Sequence, residues 1–374
     1  MACDLSVTNP GPIPDESLNI PEAIPALVTG MSADLSFAVG DIMFTDAVAA
    51  FELRHSGNYA EQGVANAGIL NEVDVNSEWA SMHTARWVAE QGIERMKKVL
   101  GDDFETTILS ARAYLYAGFA NRLLGEHVCD AVFDGGPAMD YKEHFKRAEA
   151  QFTEAIRLAQ ALGNTTIANA AYGGRASVRA WQGNWTGAVE DAMQVPDGFR
   201  FDAIFSLNSS RESLELAYET ISRRELTVFG TVWASLPPDP RVPWVTTTRK
   251  GQDGKTDFWQ QRKYLSEGDD VPLVKGTEML LLRAEAALRG DGVTTAMNLI
   301  NQGRAVHGLL PLTAATPEEA WEILKLERGA VLWLETRRFY DLRRWLEEGR
   351  DSTQAGRDVC FPISRNERNS NPNL

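Results

Sequence analysis

Twice in this chain, two helix-length apolar stripes are joined by a tight glycine turn, with small residues where the stripes would cross. The first pair covers residues 140–193: YKEHFKRAEAQFTEAIRLAQALGN, then IANAAYGGRASVRAWQGNWTGAVEDAMQVP. Phe145, Ala148, Phe152, Ala155, Ile156 and Ala159 recur at helical spacing on one face. Gly183-Asn184-Trp185 supplies the second turn, and Ala188 and Ala192 continue the stripe beyond it. The second pair covers residues 277–307, with Gly290-Asp291-Gly292 between Met279, Leu280, Leu282, Ala286, Ala287 and Val293, Ala296, Met297, Ile300. A helix pair with one apolar face cannot bury it alone, so such pairs must stack on one another.

The pattern looks like tetratricopeptide helical hairpins, and most of the remaining chain agrees with an all-α fold. Pro21-Glu22-Ala23-Ile24 opens a helix that Gly40 is expected to close, after which Asp41 caps a second one. Residues 56–78 are rich in Gly and Asn and read as a loop; Trp79 starts a helix to Leu100, with Trp79 itself read as core. Asp102 and Asp103 precede another, ending at Gly125. Residues 196–276 break the rhythm: a helix is expected over Ser213 to Ser222, then a Pro- and Gly-containing stretch without helical period. A structureless segment of that length is usually functional or disordered, and its tryptophans argue for order. Thr316-Pro317-Glu318-Glu319 is a helix start, and the helix is expected to run through LERGAVLWLETRRFYDLRRW to Gly349. The reading is all-α, with tetratricopeptide-like hairpins and long irregular loops.

Composition narrows the function. At 374 residues and 44% hydrophobic, the chain can bury a sizeable core. A formal net charge of −15 argues against nucleic acid, which needs a basic face. No apolar run is expected to reach the ~18 residues of a membrane helix. Cys129 and Cys360 could pair in an oxidising compartment, but two buried thiols is the preferred reading. Gly254-Lys255-Thr256 suggests a phosphate loop, yet Arg249 stands where its first glycine is required. His127 and Cys129 have no second metal-like pair after them, so no metal and no cofactor is expected. Glu327 and Glu335 would lie about 12 Å apart on one helix. Arg328, Arg337, Arg338, Arg343, Arg344 and Asp341 interleave with them, which reads as an ion-pair network rather than a glycosidase pair. No enzyme is supported.

EMLLLRAEAAL, the later RRFYDLRRW and the ending FPISRNERNSNPNL resemble the C-terminal signature of the SusD/RagB family, nutrient-binding lipoproteins of bacterial outer membranes. Asp239-Pro240-Arg241 and the later QQRKYL also resemble features that precede the Glu-Met-Leu-Leu helix there. The likeness is strongest over 278–374 and weak before Trp79. It implies a SusD-like domain over 20–374, signature 277–374 included, behind a tether of residues 1–19. Met1-Ala2-Cys3-Asp4 ahead of a polar, Pro-rich stretch looks like a lipoprotein end, with Cys3 the lipid attachment point and Met1 an added start. The resemblance further implies the extracellular face of the outer membrane, and a TonB-dependent, SusC-like transporter to which a captured oligosaccharide or peptide passes. The chain is shorter than is usual in that family, so some ligand-holding loops are expected to be missing.

Sugar rings stack on aromatic side chains, while their hydroxyls need amide or guanidinium donors. Two segments have that composition: 54–71, with Arg54 and Tyr59, and 228–261, with Trp233, Trp244, Trp259 and Arg241 beside Gln260 and Gln261. They are expected to face each other and form the binding surface. For each tryptophan, pinning the loop to the helical core stands as the alternative. The rival from another class is a tetratricopeptide adaptor, which would use its concave groove and need no lipid.

Overall fold

The computed structural model describes residues 15–290 and 292–374; Cys3 and most of the tether lie outside them. After short 3-10 turns at Asp15–Leu18 and Pro21–Ala23, α1 (Ile24–Ala49), β1 (Arg54–His55), α2 (Ala60–Asn66), α3 (Asn76–Leu100) and α4 (Ile108–His127) follow. Next come β2 (Asp130–Ala131), β3 (Met139–Asp140), α5 (Lys142–Ala161), α6 (Thr165–Trp181), α7 (Trp185–Ala192) and β4 (Arg200–Ala203). The irregular middle holds α8 (Glu215–Tyr218), β5 (Leu226–Thr227), α9 (Val232–Ser235), β6 (Trp244–Lys250), β7 (Asp257–Gln261) and β8 (Val271–Lys275). The chain closes with α10 (Gly276–Arg289), α11 (Val293–Val306), α12 (Pro317–Val331), α13 (Arg338–Glu347) and α14 (Arg365–Ser370).

The hairpins α5–α6–α7 and α10–α11 form where the repeated stripes place them. Asn164 and Asn184 cap α6 and α7 by accepting from the Ile167 and Gly187 amides. The reason for the small residues is direct: a Cβ at Gly118 or Gly174 would come within 2.6 or 2.4 Å of the Phe152 ring. Phe152 of α5 therefore sits between α4 and α6 in holes that only glycine leaves. At Gly125, a Cβ would meet Phe145 at 2.5 Å. Thr316 caps α12 through the Glu319 amide, and Glu319 Oε2 accepts from the Ala315 amide, with Pro317 at the first turn. Trp79 is buried in the main core, as read.

The structure corrects the sequence reading at five places. Gly40 does not end a helix: α1 runs through it, because the missing side chain admits Phe205, at 3.0 Å from a Cβ built there. Residues 56–78 are not all loop, since α2 forms and α3 starts at Asn76. Within Pro21–Ala49 an 18-residue window reaches a mean hydropathy of 1.3, enough by length and composition alone to cross a membrane, contrary to expectation. Its apolar face, including Met31, Val39 and Ile42, is buried in the core against α3 and α4. The helix from Pro317 breaks after Val331: Leu334 and Thr336 take φ of 55° and 59°. The break is held by Leu334 N–H donating to Glu52 Oε1 (3.0 Å) and the Tyr264 hydroxyl donating to the Leu334 carbonyl (3.1 Å). Finally, Cys129 and Cys360 form a disulfide across 231 residues. A backbone bridge between Val128 and Phe361 brings them together, with Cys129 N–H on the Phe361 carbonyl at 2.9 Å.

Residues 196–276 carry short strands and helical turns between loops. β4 pairs β8 and β6 pairs β7, both antiparallel, while β5 reaches back to pair β1, Arg54 opposite Thr227.

Candidate functional site

β5 carries the site's frame. Thr227 Oγ accepts from the Trp259 amide (2.8 Å), and Val228 N–H donates to the Trp259 carbonyl (2.9 Å). The short pair β1–β5 is thereby continued into the hairpin β7–β6, and segments 54–66 and 228–261 are tied into one surface. Their meeting line opens into a cavity of about 510 Å³, with Arg54 and Asn66 on one side and Gly230, Thr231 and Val232 on the other. Val48, Leu53, Leu342 and Trp345 supply apolar wall, and Arg338 of α13 enters from behind. A second cavity of about 300 Å³, lined by Trp233, Arg241 and Trp244, shares Leu326 with the first.

The three tryptophans occupy three environments. Trp233 is only 3% exposed, over Gly329, with the Arg338 guanidinium 5.1 Å from its ring centre. It is buried in the main core. Trp244 and Trp259, on neighbouring strands, stack with ring centres 5.0 Å apart and planes 10° from parallel. Both are half-buried, and Phe229 meets Trp259 edge-on at 5.2 Å. A preformed aromatic surface of this kind can receive the C–H face of a sugar ring.

The polar residues also divide. Arg241 is 8% exposed and committed: Nη2 holds Asp239 at 2.7 Å and Nη1 holds Glu327 at 2.5 Å. Gln261 is buried and donates to Thr220 and to the Tyr264 carbonyl. Neither is placed as a free donor. Tyr59 lies edge-on to Phe44 under the Arg223 guanidinium (4.8 Å), its hydroxyl donating towards Glu219 at 3.4 Å. Burial, followed by the Glu215 charge, pushes Glu219 up to about 7. Arg54 is exposed on the cavity rim.

The carboxylates weighed as a catalytic pair are ion-paired. Glu327 is held by Arg241 and Arg304, and Glu335 by Lys263 and Lys275 at 2.5 and 2.7 Å. Among the described residues no His, Cys, Asp and Glu cluster could hold a metal. His127 is buried between the Leu123 carbonyl and Asp46.

The arginines read as an ion-pair network do form one, with a single exception. Arg328 holds Asp341 (2.6 Å), Arg337 holds Glu126 (3.1 Å), Arg343 holds Glu347 (3.2 Å), and Arg344 bridges Glu285 and Asp341. Arg338, in the same run, has no carboxylate in ion-pair distance among the described residues. Its Nε donates to the Ala50 carbonyl at 3.1 Å, and burial pushes its guanidinium below the usual range. Sequence reasoning missed it as a site residue because nothing in RRFYDLRRW separates it from its neighbours.

Comparison with known proteins agrees with this architecture. Residues 245–357 match the model of the SusD family, so that segment carries SusD-family sequence, and the chain around it has the SusD fold. A SusD/RagB-family protein from Bacteroides thetaiotaomicron superposes with a TM-score of 0.69 at 13% identity, covering 94% of both chains. Surface glycan-binding protein A from the same species, in complex with laminarihexaose, gives 0.71 at 12% identity over 95% of this chain and 98% of that one. Surface glycan-binding protein A from Bacteroides uniformis gives 0.64 at 16% identity, over 94% and 98%. With that coverage, the shortening expected from the resemblance is not seen against these structures. No curated protein sequence matches the chain.

Proposed function

We propose that this protein is a surface-exposed lipoprotein that captures an oligosaccharide and hands it to a TonB-dependent, SusC-like transporter in the outer membrane. The observation that carries the reading is the juxtaposition of segments 54–66 and 228–261 at one amphipathic cavity, beside the stacked Trp244–Trp259 pair. The SusD-family segment and the likeness to a structure solved with laminarihexaose support glycan over peptide. Residues 20–374 act as one unit behind the tether, with Cys3 as the anchor. The role is binding, not catalysis, since Glu327 and Glu335 are neutralised by basic partners.

Within this reading Trp244 and Trp259 are the stacking platform, Arg54 is the rim donor, and Tyr59 lies behind the rim. Calorimetric titration with oligosaccharides is the test. Trp244→Ala or Trp259→Ala should weaken binding by about 1–3 kcal/mol, as for a surface hot spot, with the melting temperature almost unmoved. A fall in melting temperature with affinity intact would make both residues pins and move the site away from this hairpin. Cys3→Ser should release the protein from membranes into the soluble fraction.

A further inference from the structure

We propose that the cavity between Arg54 and Arg338 is a carboxylate-binding site, so that the captured oligosaccharide is acidic, carrying uronate residues; this rests on the binding-protein reading above. Arg338 is 9% exposed, yet it lines the cavity wall and has no acidic partner among the described residues. Its Nε is committed to the Ala50 carbonyl, which leaves the two terminal nitrogens of the fork for a ligand. Trp233 supports the guanidinium from one side and Gly329 leaves room for it, a Cβ there coming within 2.5 Å of Nη1.

An unpaired guanidinium is costly to bury, and a fork of parallel N–H donors matches a carboxylate in particular. Arg338 is also the first residue of α13, where unpaired backbone amides make the environment more positive and no side chain caps the end. Across the cavity Arg54 likewise has no carboxylate partner among the described residues, and approaches the Gly230 backbone. The acidic groups nearby are otherwise engaged: Glu322 and Asp351 hold Lys325 at 2.6 and 3.1 Å. Glu52, behind Arg338, accepts from the Leu334 amide. Burial and then the Asp46 charge push Glu52 up, the Arg338 charge opposing them, and no ion pair joins Glu52 to Arg338. Val48, Leu53, Leu342 and Trp345 complete a wall suited to the C–H face of a sugar, in a volume typical of small-ligand sites.

The experiment compares tetragalacturonate with neutral laminarihexaose by calorimetry at low and moderate salt, on the intact chain and on Arg338→Gln, Arg338→Lys and Arg54→Gln. Tetragalacturonate should bind at least tenfold more tightly than the neutral hexaose, and more weakly as salt rises. Arg338→Gln should lose at least tenfold for tetragalacturonate only, and Arg338→Lys should recover part of it. If Arg338→Gln does not fold, Arg54→Gln gives the same comparison with a smaller loss. Preference for the neutral hexaose, or tetragalacturonate affinity unchanged in folded Arg338→Gln and Arg54→Gln, overturns the inference and leaves the glycan-binding reading standing. If neither glycan binds, both fall. If a peptide with a free C-terminal carboxylate binds in their place and needs Arg338, the glycan class is overturned.

Discussion

Arg344 and Arg338 stand on the same short helix, both buried, and differ in what surrounds them. Arg344 forks onto Glu285, adds Asp341 at 2.8 Å, and lies over Trp181 and Trp345. Arg338 has a backbone carbonyl, an aromatic ring and a cavity. The first is closed structure, in which each charge is answered inside the protein. The second has, among the described residues, acidic groups only beyond ion-pair distance and faces a space. The contrast teaches that arginine-rich sequence does not by itself distinguish structural from ligand-directed residues; their partners do.

The sharpest way to break this contrast is to remove each charge. Arg344→Ala strands Glu285 without its main partner in the interior and should cost about 3–5 kcal/mol in chemical unfolding. Arg338→Gln breaks no ion pair and should cost about 1 kcal/mol or less. Equal losses at the two positions would erase the distinction. The disulfide comes next. Arg343 Nη1 donates to the Val128 carbonyl, beside Cys129, so the bridge braces the closed side. Cys129→Ser with Cys360→Ser should lower stability by about 2–5 kcal/mol and leave ligand affinity within twofold. A matching loss of affinity would show that the two regions are not separable.

The smallest effect is a pH dependence that sets two buried carboxylates of α10 against each other. Burial would raise Glu285, but the Arg344 charge and hydrogen bonds bring it down to about 2. Its contribution is fully present above about 4.5, its ordinary value, and is lost as pH falls towards 2. Glu278 is pushed up to about 7 by burial, only partly offset by Arg328. Its folded form holds a proton that the unfolded chain releases, so stability declines as pH rises from about 4.5 through 7. Urea unfolding from pH 3 to 8 should show a shallower acid limb in Glu285→Gln and a shallower neutral decline in Glu278→Gln. Unchanged profiles in both variants would count against the pairing described.

Legibility followed the range of the interactions. The hairpins were readable because periodicity and small crossing residues act within one helix pair, as Phe152 between Gly118 and Gly174 shows. The helix through 332–337 was misread because Glu52, far off in sequence, holds the break. Gly40 was taken for a stop because a partner, Phe205, fills its space only in the folded chain. At the site, composition found the two segments that meet, but it grouped Trp233 with Trp244 and Trp259, and Arg241 with Arg54. Burial separates them.

By itself, then, the sequence determined that stacked helical pairs make the core, where they start and stop, and which irregular stretches come between them. Those are consequences of backbone propensity and apolar spacing, which act over a few turns. Only the tertiary structure decided which charges are answered, that Cys129 finds Cys360, and that Arg338 looks into a cavity. A charge or a thiol is recognised by partners that can come from anywhere in the chain, and no local pattern specifies which of them arrives within bonding distance.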